Sequence, residues 1–279
     1  GSVNQKKRIL VLTADAGFGH RSAANAVAAA LEQKYGEDCE VSILNPIDDR
    51  RAPFFLRDSA ADYDRLVRNV PELYRLGYEA SDNQIPSLLM ERVLTVALYD
   101  ILRDLVHEHH PDAIVTTYPL YQAPLSAYFT LTRHFIPLIT VVTDLVTVHR
   151  IWFSAGATMC LVPTAEVEKL ALENGLAQSK VHLTGIPVSP MLAQKQLPRR
   201  ELRQKLGWDE RLPTFLAVGS RRVDQLVETL NVLNHFGGRL QVAAVAGKDD
   251  ELFDRLKAID LHIPAHIYNY VSKLPELIR

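Results

Sequence analysis

The stretch Gly17-Phe18-Gly19-His20-Arg21 joins an apolar segment to a segment of strong helix formers. Residues 8–15 before it are rich in Ile, Leu and Val, which is typical of a buried parallel strand. Residues 22–32 after it are rich in alanine and contain neither Gly nor Pro, which predicts a helix. This strand, turn and helix predict an α/β fold with His20 at the carboxyl edge of the sheet, where such folds bind ligands.

The turn itself suits chemistry on an anionic or oxygen-bearing group. Its glycines let the backbone approach a ligand closely, and the helix N-terminus favours negative charge. An imidazole there is suited to act as a general base. The alternative role for His20 is closing the loop.

A nicotinamide cofactor is disfavoured, because Ser22 replaces the third glycine of the dinucleotide fingerprint and the second strand ends in Asn45-Pro46 rather than an acid.

Composition indicates an ordinary globular protein with room for two cores. The chain has 279 residues, of which 47% are hydrophobic and 23% charged, and its formal net charge of -2 gives no global attraction to nucleic acid. Cys39 and Cys160 are too few for a disulfide framework or a structural zinc site, so we expect a reducing cytoplasm. No apolar run approaches the ~20 residues of a membrane span, so we expect only peripheral membrane contact.

Apolar strand candidates alternate with helical stretches, which predicts a parallel sheet wrapped by helices. The exception is a helical insertion predicted over residues 50–100. Gly185-Ile186-Pro187-Val188-Ser189-Pro190 then interrupts the pattern, so we expect an N-terminal lobe over 1–190 and a second Rossmann-like lobe over 191–279. The first-lobe strands are predicted at 8–14, 40–45, 112–117, 137–143, 158–162 and 180–184, and the second-lobe strands at 214–218, 240–246 and 265–270, with helices at 223–235 and 249–259.

Two more loops at strand ends carry polar residues, at 117–122 and 143–149. Asp144 follows an apolar strand, where a carboxylate is costly unless it is exposed or hydrogen-bonded, so it either serves the site or caps the next segment. His149 and Trp152 belong to an aromatic and basic cluster that could equally be loop packing. Three histidines at 107, 109 and 110 precede Pro111 at a predicted helix end, and we expect no metal there.

The second lobe repeats the strand, small-residue turn and helix at Val218-Gly219-Ser220-Arg221. The amides of Gly219 and Ser220 can face phosphates and Arg221 can add charge. The alternative is an ordinary turn with solvated arginines.

Taken in order, these motifs resemble the family of monogalactosyldiacylglycerol synthases and processive diacylglycerol glucosyltransferases. The resemblance rests on residues 17–21, Thr117-Tyr118-Pro119, Thr143-Asp144 with His149 and Trp152-Phe153, and residues 185–188. It implies a GT-B fold with a lipid-acceptor lobe and a nucleotide-sugar lobe. It also implies transfer of a hexose from a UDP-sugar to diacylglycerol with inversion, without a metal or other cofactor.

The resemblance assigns roles to particular residues. His20 would be the general base, with Asp144 orienting the acceptor hydroxyl or supporting the charged imidazole. Gly17, Phe18, Gly19, Tyr118, Pro119, His149 and Trp152 would bind the acceptor, and Gly185, Pro187, Gly219, Ser220, Arg221, Tyr270 and Val271 would bind the donor.

Two departures from the family pattern stand out. The turn at Gly219 is shorter than usual, and the later Gly-Gly and acidic donor segment would lie beyond Arg279, so we expect a truncated donor lobe and an inactive isolated chain. The rival hypotheses are a non-catalytic lipid-binding module and a UDP-sugar enzyme, such as an epimerase or a transferase with a soluble acceptor.

We also expect residues 50–95 to dock on anionic lipid. From Arg50 to Arg75 there are six arginines and four acids among aromatic residues. The alternative is that these arginines pair with Asp58, Asp62, Asp64 and Glu72.

Overall fold

The computed structural model describes residues 5–15, 19–53, 56–57, 85–145, 148–194, 197–219, 225–237, 239–247, 249–269 and 274–278. The chain divides into two compact units, Gly1–Ala193 and Gln194–Arg279. The sequence predicted a boundary three residues earlier, after residue 190.

The first unit is built on a parallel sheet of six strands within the described residues, and the predicted α/β class is confirmed. Along the sheet the order is β2-β1-β3-β4-β5-β6, so the chain starts one strand in from an edge, adds the edge strand β2, and then crosses back to continue from β3 to β6 on the other side of β1. The carboxyl ends of β1, β3 and β4 are therefore adjacent, which brings the three polar loops to one edge. The strands are β1 Lys7–Leu12, β2 Cys39–Leu44, β3 Ala113–Thr116, β4 Leu138–Val141, β5 Met159–Val162 and β6 Val181–Leu183.

Helices connect these parallel strands, as the crossover geometry requires. Short 3-10 turns at Pro119–Tyr121 and Arg150–Trp152 follow β3 and β4 on the carboxyl side of the sheet. They place aromatic side chains next to α1. The helices are α1 Gly19–Tyr35, α2 Ile85–His109, α3 Gln122–Thr132 and α4 Ala165–Glu173.

The core of the first unit lies between the sheet, α2 and α3. Leu10, Leu12 and Ile114 of the strands are at most 1% exposed, as are Leu98 and Ile101 of α2. Burying each such side chain contributes about 1.5–3 kcal/mol, so the sheet and helices stabilise each other. The site rests on this rigid layer.

The predicted helical insertion is described only in part. Within it, α2 is a helix of 25 residues whose last turn carries His107 and His109. Residues 58–84 of the predicted insertion lie outside the described residues.

The second unit contains a three-stranded parallel sheet in the order β7-β8-β9, within the residues described. Its strands agree with the predicted ones, and its core is built from small and branched residues such as Ala244, Leu230 and Leu256. Within the described part of the chain, no helix is long and apolar enough to cross a membrane. The elements are α5 Arg199–Leu206, β7 Thr214–Val218, α6 Leu226–Leu233, β8 Gln241–Val245, α7 Asp250–Lys257, β9 Ala265–Tyr268 and α8 Leu274–Leu277.

Candidate active site

His20 lies in the first turn of α1 and is 8% exposed. Its Nδ1 is 2.9 Å from the carbonyl oxygen of Thr117 and 2.8 Å from Oγ1 of Thr143. Thr117 follows β3 and Thr143 follows β4. One ring nitrogen is therefore held by the two neighbouring strand ends.

These contacts determine which ring nitrogen carries the proton. A carbonyl oxygen can only accept a hydrogen bond, so the contact with Thr117 requires a proton on Nδ1 of His20. Oγ1 of Thr143 then shares that donor as a second acceptor. The neutral ring consequently keeps its lone pair on Nε2, which makes Nε2 the basic atom.

A pair of buried threonines fixes the backbone beneath the histidine. Oγ1 of Thr117 is 2.9 Å from the carbonyl oxygen of His20 and 2.9 Å from Oγ1 of Thr13. The hydroxyl of Thr117 has one proton, which must go to the carbonyl, so Thr13 donates to Thr117. The Tyr121 hydroxyl donates to the carbonyl oxygen of Thr13 at 2.9 Å. Both threonines are fully buried, so β1, β3 and α1 are held together without water.

Aromatic rings surround the imidazole. Tyr118 meets it edge to face at 5.1 Å between ring centroids, and Trp152 lies at 6.1 Å. The indole Nε1–H of Trp152 donates to Oδ2 of Asp144 at 2.9 Å. The structure thus brings together four of the predicted residues: His20, Tyr118, Asp144 and Trp152. Asp144 accepts this hydrogen bond from Trp152, and no such contact was anticipated from the sequence.

The surroundings of His20 shift the pKa of its imidazole. Burial lowers the pKa of His20 below its usual 6.5, because the charged form loses solvation, while the Thr117 hydrogen bond and the Asp144 charge act in the opposite direction. Burial also raises the pKa of the Tyr118 and Tyr121 hydroxyls. Near neutral pH both phenols stay protonated, and the imidazole is neutral and able to accept a proton.

The other predicted acceptor residues surround this cluster or support it. Gly19 begins α1, and a Cβ added to it would meet no described atom within 4 Å. Pro119 is buried in the 3-10 turn after β3. His149 caps the turn before Trp152, since its Nδ1 accepts from the amide of Ile151 at 3.1 Å. Burial and Arg150 lower the pKa of His149. Gly17 and Phe18 lie outside the described residues.

The predicted donor residues fall in both units. Gly185 and Pro187 are half-buried in the segment after β6, where Gly185 has a φ of +77°. Gly219 follows β7, and its amide donates to the carbonyl oxygen of Val245 at 2.7 Å. Ser220, Arg221, Tyr270 and Val271 are outside the residues that the structure describes.

Sequence reasoning assigned no role to several polar partners of the site, although Thr117 and Thr143 stand in the motifs that carry the family resemblance. Thr13, Thr117 and Thr143 lie in or beside apolar strands, where threonine is read as a β-branched strand former rather than as a hydrogen-bond partner. Gln122 is 1% exposed and was not singled out either. The sequence gives one signal for Gln122: it follows a predicted buried strand, and a glutamine that is buried there needs hydrogen-bond partners for its amide. Among the described residues, no group of three His, Cys, Asp or Glu side chains could hold a metal ion.

Comparisons with known proteins bear on this site. The family model for monogalactosyldiacylglycerol (MGDG) synthase matches residues 20–188, which include the whole cluster around His20. The chain is 30% identical over 97% of its length to the chloroplastic monogalactosyldiacylglycerol synthase of Spinacia oleracea, and 29% identical over 98% to monogalactosyldiacylglycerol synthase 1 of Arabidopsis thaliana. It spans about half of these relatives, 53% of each.

Solved structures share the fold. Staphylococcus aureus MnaA, determined with UDP, superposes with a TM-score of 0.54 at 12% identity, covering 98% of this chain and 71% of its own. Anabaena HepE with UDP gives a TM-score of 0.51 at 13% identity, covering 98% and 71%. At such identities the likeness shows the fold alone, which is GT-B.

Proposed function

The chain belongs to the monogalactosyldiacylglycerol synthase family, and we propose that it carries the acceptor-activating part of an enzyme that transfers a hexose from a UDP-sugar to diacylglycerol. The observation that carries the proposal is the 2.9 Å contact between Nδ1 of His20 and the carbonyl oxygen of Thr117, which requires a donor on Nδ1 and so leaves Nε2 as the base.

The reaction needs a base at one step. The diacylglycerol hydroxyl gives its proton to Nε2 of His20 while its oxygen bonds to the anomeric carbon, and the bond from that carbon to the UDP oxygen breaks. Attack from the face opposite UDP inverts the configuration. Asp144 stabilises the imidazolium that forms, as its charge raises the pKa of His20. A general base of this kind contributes about 10²- to 10⁴-fold in rate.

On the donor side, we propose that Gly219 with Ser220 and Arg221 faces the diphosphate, and that Gly185, Pro187, Tyr270 and Val271 complete the donor site. UDP is the leaving group, and no metal or redox cofactor enters the scheme. Galactose is the sugar in the names of the similar plant enzymes, so UDP-galactose is the first donor to test.

The test is a product assay on the full-length protein that contains this sequence. Diacylglycerol vesicles are incubated with a mixture of UDP-galactose and UDP-glucose, and the lipids are analysed by mass spectrometry. Hexosyl-diacylglycerol with the β configuration is expected. Binding of diacylglycerol without any product would favour the lipid-binding module instead, and hexose transfer to a soluble acceptor only would favour the other UDP-sugar enzyme.

We further propose that the segment around Arg50 and Arg57, both exposed, attracts anionic lipid. Arg51 pairs with Asp49 and Asp104, so its charge is locally compensated. In vesicle sedimentation, changing Arg50 and Arg57 to glutamine should weaken binding to anionic vesicles more than the matched Arg51→Gln does. Equal binding by all variants, or binding insensitive to lipid charge, would contradict this role.

A further inference from the structure

A buried amide lies one contact away from the cluster around His20. Gln122, the first residue of α3, is 1% exposed. Its Oε1 accepts from the Thr140 hydroxyl of β4 at 2.8 Å. Its Nε2 donates to the carbonyl oxygens of Trp152 at 3.0 Å and Ile151 at 3.3 Å. The side chain therefore joins the sheet to the turn at Arg150–Trp152.

The amide can hold this turn in only one orientation. Rotating it by half a turn would place Oε1 of Gln122 against two carbonyl oxygens, which can only accept. In the observed orientation both N–H groups and the oxygen are satisfied. A fully satisfied buried network of this kind specifies a single geometry.

The turn that Gln122 holds carries the contact to the carboxylate. Trp152 is fully buried, and its indole donates to Asp144 while its ring lies beside His20. The position of the indole thus depends on a backbone carbonyl bonded to Gln122. Gln122 and Ile151 also line a cavity of about 270 Å³, so the turn has room to move when the amide is lost.

We propose that Gln122 is a positioning residue for the transfer reaction, setting Trp152 and through it Asp144 relative to His20. This inference rests on the proposed function, because the consequence for turnover requires that His20 be the base. Gln122 itself touches none of the reacting atoms in this assignment. Misplacing a catalytic group by about 1 Å can cost on the order of 10²-fold in rate.

The test compares Gln122→Met with Gln241→Met. Gln241 is also fully buried and its amide is also satisfied, by Asp209, Leu212 and Thr214, but it lies at the amino end of β8 in the second unit. Both substitutions remove a buried amide and leave a similar volume. Gln122→Met should lower kcat by about 10- to 100-fold with little change in KM for the sugar donor. Gln241→Met should lower the melting temperature and leave kcat unchanged.

A second readout does not depend on activity. In protein labelled with ¹⁵N at the indole nitrogen, the Trp152 Nε1–H resonance, assigned with Trp152→Phe, should shift and exchange faster with solvent in Gln122→Met but not in Gln241→Met. Gln122→Asn, which keeps an amide but is one methylene shorter, should show smaller changes in the same direction.

An unchanged indole resonance in folded Gln122 variants would overturn the inference whether or not the wild type transfers hexose. A shifted resonance with unchanged kcat in an active enzyme would overturn it too. Failure of both Gln122 variants to fold would assign the amide to stability and count against positioning. A wild type without transferase activity but with the indole shift would instead contradict the proposed function.

Discussion

Gly19 after β1 and Gly219 after β7 stand in similar stretches of sequence, and their described surroundings differ. Each follows a parallel strand, contains glycine and precedes a helix. At Gly19 an added Cβ would meet no described atom within 4 Å. At Gly219 it would lie 2.7 Å from Cδ2 of Leu226 and 2.8 Å from Cδ2 of Leu252. Among the described residues the first glycine has no close neighbour, whereas the second is tightly packed against two leucine side chains.

The difference shows what a glycine turn can and cannot indicate. Beside Gly19 the chain places a buried histidine whose Nδ1 is tied to two strand ends. Beside Gly219 the described surroundings are apolar side chains and the Val245 carbonyl, which explain the glycine without a ligand. Close packing therefore accounts for Gly219, and the proposed contact of this turn with the diphosphate rests on family membership rather than on the glycine itself.

The largest effect should come from His20. In the full-length protein, His20→Ala removes the proposed proton acceptor and should lower kcat by about 10²-fold or more, with UDP affinity little changed. Steady-state kinetics and calorimetry with UDP measure the two quantities. His182→Ala, at an exposed position of β6, is the matched control and should keep full turnover. Near wild-type kcat in His20→Ala would reduce His20 to a residue that closes the loop.

Substituting alanine for Gly19 and for Gly219 tests directly whether their surroundings differ. Gly219→Ala forces its Cβ against two buried leucines and should lower the free energy of unfolding by about 1–3 kcal/mol. Gly19→Ala finds open space at a helical position and should change stability by less than about 1 kcal/mol, in the stabilising direction. If Gly19 leaves room for substrate, that variant should still lose activity. Urea unfolding measures stability, and equal destabilisation by both substitutions would erase the distinction.

A smaller effect is expected at Asp144. Asp144→Asn keeps an acceptor for the Trp152 indole but removes the charge that raises the pKa of His20. The pKa of His20 should therefore fall further, and the acidic limb of kcat/KM should move to lower pH. Losing support for the imidazolium should cost roughly tenfold in kcat, equivalent to about 1.4 kcal/mol. A variant that unfolds at markedly lower temperature with activity and pH profile intact would make Asp144 a structural residue.

Much of the fold was predictable because parallel strands buried on both faces form nearly continuous apolar runs. The segment Ile139–Val142 is readable in this way. The exact range of β7 was also predicted from its apolar sequence, although Phe215 and Val218 of that strand are exposed. The positions of His20 and Asp144 at strand ends followed from the alternation of strands and helices. The distance and orientation between His20 and Asp144 could not be predicted, because they depend on the order of the strands in the sheet.

The supporting polar groups were hidden for a physical reason. Thr117 and Thr143 come into contact with His20 from positions 97 and 123 residues away in the chain, and nothing in local periodicity encodes such distances. Gln122 lies in the apolar first turn of α3, and its side chain donates to the backbone carbonyl oxygens of Ile151 and Trp152. Every residue has such a carbonyl oxygen. Backbone acceptors carry no sequence signal.

The most direct test of the role of His20 is its protonation state. In protein labelled with ¹⁵N-histidine, with the His20 signals assigned by their loss in His20→Gln, two-dimensional ¹H–¹⁵N spectra between pH 4.5 and 8 distinguish the two ring nitrogens. We expect a neutral ring with the proton on Nδ1 and a bare Nε2, titrating with a midpoint below 6.5. A neutral ring protonated on Nε2, or a midpoint above 6.5, would contradict the assignment of Nε2 of His20 as the base.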